Sequence, residues 1–197
     1  MLIESYGKEF TTDSSAACPV APASTPLGAT AAEILEMVYC YASDGMVFYR
    51  KGDLVNAIAS FAYGYGWLDA GVYLGYLNGR SATSLPVISE QIPDTLFDHL
   101  SEKTSRYQRM LSSALDGVAV LPDTETRAFS AAQNIRTTAE VNYAEGTTLV
   151  LAKDLTNALV SFSYGYGWLD VGVRTGLLSF PELLHLLSGL ARRFPFM

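Results

Sequence analysis

A stretch of 25 residues starting at Asp53, DLVNAIASFAYGYGWLDAGVYLGYL, returns at Asp154 as DLTNALVSFSYGYGWLDVGVRTGLL, ungapped and 101 residues further on. About two thirds of the paired positions are identical, which marks an internal duplication. Whatever local structure one copy adopts, the other must adopt too. A chain of 197 residues has room for two such small units.

Each copy reads as a helix with a marked start. Asp53 and Asp154 can cap the first turn with their carboxylates. Asn56 and Asn157 stand three positions on, where a side chain can reach back. Phe61, Tyr65, Leu68 and Val72 then recur at helical spacing, as do Phe162, Tyr166, Leu169 and Val173.

The preceding segments, residues 30–51 and 124–153, have the same periodicity and end at Gly52 and Lys153. Connections this short force antiparallel neighbours, so each copy contains a tight helical hairpin. Before the second hairpin, Leu96, Leu100, Tyr107, Leu111, Ala114 and Val118 mark one further helix face, which makes a three-helix bundle.

The expected fold is therefore all-α, with up-and-down three-helix units in tandem. Residues 1–28, Pro-, Ala- and Ser-rich in part, read as an irregular arm. Residues 29–79 form a first repeat that lacks its opening helix, 80–92 a linker, and 93–179 a complete second repeat. Residues 180–197 read as an amphipathic helix that covers the open face of the first repeat.

Composition narrows the function. A net charge of −7 argues against a nucleic-acid surface, since phosphate contacts need clustered Lys and Arg. Residues 54–77 are apolar enough to suggest a membrane span, but Asp69 lies inside the run, and an acid at mid-bilayer costs about 3 kcal/mol. The N-terminal MLIESYGKEF has no basic leader, and Cys18 and Cys40 form no disulfide framework, so the expectation is a cytoplasmic protein with free thiols. His99 and His185 are isolated, and no nucleotide, hydrolase or metal motif occurs, so no cofactor, metal site or catalytic residue is expected.

Two resemblances follow from the hairpin. Gly45, Phe48, Ala57 and Phe61 fall where a tetratricopeptide repeat places its Gly, Tyr, Ala and Phe, although the 101-residue offset is not that of a solenoid. The longer match is to an archaeal family of unknown function, domain of unknown function 357. Its hallmark resembles NALVSFSYGYGWLDVGVRTGLL from Asn157 and NAIASFAYGYGWLDAGVYLGYL from Asn56. The family's opening helix resembles EKTSRYQRMLSSALDGV from Glu102. The resemblance implies a three-helix bundle and no activity.

The motif itself carries the candidate binding residues: Tyr63, Tyr65, Trp67 and Asp69, with Tyr164, Tyr166, Trp168 and Asp170. A glycine inside a helix costs about 1 kcal/mol relative to Ala, so Gly64, Gly71 and Gly75, on one face, need a compensating role. Close packing of a neighbouring helix is preferred to a ligand groove. The Trp rings are expected in the core with their indole N–H groups bonded. The two Asp side chains are expected to bond a Tyr, a Trp or a helix end, with Arg174 available to Asp170. These readings favour a non-enzymatic protein-interaction or scaffolding module, with a protein partner or self-association. The alternative is a small-molecule or nucleotide-binding protein that lines a pocket with YGYGWLD.

Overall fold

The computed structural model describes residues 1–80 and 85–180. Six helices carry it: α1 (Ile3–Ala16), α2 (Pro26–Arg50), α3 (Leu54–Tyr73), α4 (Phe97–Gly117), α5 (Arg127–Leu151) and α6 (Leu155–Arg174). A 3₁₀ turn, Asp94–Leu96, leads into α4. The helices α1–α2–α3 form one bundle and α4–α5–α6 the other. The all-α expectation holds, with two small additions. Two-residue strands β1 (Cys18–Pro19) and β2 (Leu77–Asn78) pair antiparallel, and β3 (Ala119–Val120) pairs with β4 (Leu178–Ser179) in the same way. Each ladder ties the segment after the first helix of a bundle to the segment after its third. A two-residue strand has no period to read, so the sequence pattern could not reveal it.

The first repeat is complete. Residues 1–28 are not an irregular arm, because α1 occupies the place that α4 fills in the second repeat. Ile3, Tyr6 and Phe10, spaced i, i+3 and i+7, are fully buried and face the core. Tyr6 stacks on Tyr65 of α3 with ring centres 5.5 Å apart, and Phe10 lies 4.5 Å from the same ring. The open face is thus covered by α1. The C-terminal segment expected to cover it, from residue 181 onward, lies outside the described residues.

The hairpins form as their caps dictate. Asp53 Oδ1 accepts from the Asn56 backbone N–H at 3.1 Å, and Asp154 does the same for Asn157 at 3.1 Å. Both third helices end in the same way. Gly75 and Gly176 lie just past α3 and α6 at φ of 74° and 72°, where Gly75 N–H bonds Val72 O and Tyr76 N–H bonds Gly71 O. These two glycines are helix stops, not members of an in-helix face.

Nearly every residue of α3 is buried, whichever side of the helix it lies on. A helix apolar all round must sit inside a protein or a bilayer. Here α1, α2 and α6 surround α3. No described helix is long and apolar enough to cross a membrane.

Candidate functional site

The repeated motif lies where the two bundles meet. Helices α3 and α6 cross at Gly66 and Gly167, whose Cα atoms are close neighbours. A Cβ on Gly66 would sit 2.4 Å from the carbonyl oxygen of Tyr164, and a Cβ on Gly167 would sit 2.5 Å from that of Tyr63. The obstacle in each case is backbone, so no rotamer change relieves it. The glycine face identified from sequence has other neighbours. Gly64 makes room for Phe10 and Tyr41, and Gly71 for Ile34 and Leu77. Gly66, outside that face, makes the inter-repeat contact. Tyr63, Gly66 and Asp69, at three-residue spacing, share one side of α3, and that spacing was the available signal.

Polar groups bridge the crossing reciprocally. The Tyr164 hydroxyl donates to Asp69 Oδ2 at 2.8 Å, and the Tyr63 hydroxyl donates to Asp170 Oδ2. Asp69 is fully buried and Asp170 partly so. Burial, and next the charge of Asp170, raise the Tyr63 phenol well above its ordinary range. Burial and Asp69 do the same to Tyr164. Phenols shifted upward stay protonated near neutrality and serve as donors to the carboxylates. The arrangement holds protons in place and binds the helices together. Arg174 does not pair with Asp170. It reaches Glu33 of α2 instead, with Nε donating to Oε2 at 2.8 Å.

The structure brings Tyr63, Asp69, Tyr164, Tyr166 and Asp170 together at this joint, with Trp67 and Trp168 beside it. Tyr65 turns away from the crossing and donates to Asp13 of α1 at 3.0 Å. Its counterpart Tyr166, half-buried, stacks on Tyr63 with centres 6.2 Å apart. Trp67 and Trp168 are buried, as expected. Their indole N–H groups, however, have no partner at hydrogen-bond geometry among the described residues. Each indole still stands near the hydroxyl one turn earlier, on Tyr63 or Tyr164, and counters part of the upward shift of that phenol.

Around this symmetric centre the two copies use their capping asparagines differently. Lys103 of α4 crosses to the first repeat and donates to Asn56 Oδ1. At 1 % exposure its side chain is sealed, with the ammonium 5.6 Å from the Tyr107 ring centre. Burial, aided by Arg106, lowers its pKa to about 8 against the opposing pull of Asp53 and Glu102. In the second repeat the linker does this work. Ile88 N–H donates to Asn157 Oδ1 at 2.8 Å, and Asn157 Nδ2 donates to Ile88 O at 3.0 Å. Sequence reasoning did not single out Lys103. It stands one turn from His99, which itself lies 3.8 Å from the capping Asp53. Among the described residues, no three His, Cys, Asp or Glu side chains gather as a metal site would require.

Comparison with known proteins agrees with this two-unit construction. The sequence model of a family described as "Protein of unknown function (DUF357)" matches residues 5–77 and again 106–178. The two matches are offset by the same 101 residues as the motif and together span most of the chain. The protein belongs to this family, as a tandem duplication of its domain. The first match takes in most of α1 and the second the C-terminal half of α4, so the family's unit reaches into the first helix of both bundles. No curated protein and no solved structure matches the chain.

Two measurements probe the joint. Gly66→Ala and Gly167→Ala are each expected to lower stability in urea unfolding by about 1–3 kcal/mol or more, because only a shift of the helices can relieve the clash. Tyr164→Phe, which removes a donor from buried Asp69, should cost a similar amount, about 1–3 kcal/mol. Parent-like unfolding of the glycine variants would contradict the close crossing.

Lys103 generates a pH dependence. Its folded-state pKa of about 8 lies below the unfolded value of 10.5, so between those values the unfolded chain binds more protons. Stability should therefore rise with pH through this window. The buried phenols, raised in the fold, oppose the trend once unfolded tyrosines begin to ionise near pH 10. Urea midpoints measured from pH 7.5 to about 9.5 should climb in the parent and lose most of that slope in Lys103→Met. An unchanged slope in the variant would contradict the assignment.

Proposed function

We propose that the protein is a non-enzymatic helical interaction module, a scaffold whose outer faces meet protein partners. The observation that carries this reading is the placement of the repeated motif. Its two acids, Asp69 and Asp170, accept from Tyr164 and Tyr63 inside the joint. Groups held this way set the relation of two bundles, which suits a protein that presents surfaces.

The outer surface supports the same reading. Phe97, at the start of α4, is 57 % exposed, and Leu151, at the end of α5, is 80 % exposed. Val87 of the linker, 70 % exposed, stands beside Leu149 and Asp154 of the second hairpin. The first repeat has Arg50 at the position of Leu151. Large apolar side chains left exposed are the ones a protein partner would gain most by covering.

The test pairs native mass spectrometry with cross-linked capture. The purified chain should carry the mass of polypeptide alone. A protein partner captured by the parent should be lost from the Phe97→Ser, Leu151→Ser double variant, while the melting temperature stays unchanged. A small molecule that co-purifies with the parent and leaves on Asp69→Asn would replace this reading with the pocket alternative.

A further inference from the structure

We infer that each repeat carries a self-recognition surface, so that a repeat can pair with a second copy of itself through the face it uses for its neighbour in the chain. The inference does not depend on the scaffold reading. It rests on the reciprocity of the joint. Tyr63 bonds Asp170 while Tyr164 bonds Asp69, and Gly66 and Gly167 each face the other helix's backbone. Residue i touches j′ and j touches i′, which is the signature of an isologous, two-fold contact.

The two sides of that contact are chemically the same. Tyr63, Gly66, Trp67 and Asp69 recur unchanged as Tyr164, Gly167, Trp168 and Asp170. If α6 were replaced at the crossing by a second α3, Tyr63 would meet Asp69 of the second copy, and the glycine approach would be identical. The paired Tyr–Asp bonds and the glycine approach are therefore available to a homotypic pair as they are to the heterotypic one.

Other contacts do distinguish them, including Tyr166 stacked on Tyr63 at the joint. Arg174 pairs with Glu33, both half-exposed, and exposed ion pairs contribute little. Tyr73 lies against Trp168 at 5.7 Å, in the position that Arg174 holds in the other copy. Lys103 on Asn56 and Ile88 on Asn157 add two further asymmetric ties. In the intact chain the covalent link also keeps the in-chain repeat at millimolar effective concentration, which favours the heterotypic pair. The chain is thus a dimer of its own unit made permanent by fusion, and the partner this surface fits is another copy of that unit.

The experiment uses the full-length chain. A protease site is placed between Arg80 and Leu85, and the folded protein is cut there. Two batches carry different tags on the N-terminal repeat. They are mixed, unfolded in urea, refolded at low concentration, and captured through one tag. Before mixing, the cut protein should elute as a single species at the size of the intact chain. After mixing, capture should recover N-terminal repeats bearing the other tag, in pairs of that same size. Recovery of the C-terminal repeat alone would overturn the inference, as would separation of the halves on cutting. Doubly tagged material found only in larger aggregates would count against it equally.

Discussion

The close approach of α3 and α6 at Gly66 and Gly167 is the constraint on which the rest of the structure depends. Two helix backbones can come this near only where neither carries a side chain. Once they do, the flanking Tyr hydroxyls reach the opposite Asp, and two acids can be buried with donors in place. The motif glycines weaken each isolated helix by about 1 kcal/mol apiece. Burial of α3 on all sides offsets that, and the same burial explains why the segment resembles a membrane span in composition.

The two repeats are near-identical at the joint and diverge away from it. Helix α4 extends about two turns beyond α1 at its N-terminal end, and this extension places Lys103 on the first turn of α3. The position equivalent to Lys103 is Leu2, which is exposed. The linker takes the matching place on α6 through Ile88. The Asp-x-x-Asn caps therefore do two things at once. The Asp and the Asn backbone begin a helix, while the Asn side-chain oxygen receives a segment from elsewhere in the chain. A duplicated scaffold has acquired different fastenings on its two halves.

Much of this was legible in the sequence, for local reasons. The caps, the hairpins and the fold class follow from short-range patterns present in both copies. Helix α1 was not legible, because TTDSSA is poor in helix formers and the Pro-rich stretch after it suggests a loop. Only the spacing of Ile3, Tyr6 and Phe10 betrayed it. The aromatic and acidic residues of the motif stand out in the sequence, but which of them face one another depends on a tertiary crossing that no periodicity encodes. Arg174 illustrates the limit: Asp170 lies four residues away on its own helix, yet the side chain goes to Glu33, 141 positions distant in the chain.

If the crossing governs stability, the two bundles must open together. Native-state hydrogen exchange measures this directly, since each amide reports the free energy of the opening that exposes it. The account predicts that the slowest amides lie near residues 63–69 and 164–170, and that both groups share one free energy, equal to that of global unfolding. One repeat exchanging at a distinctly lower free energy than the other would show that the bundles unfold independently, and would contradict the central place given to their joint.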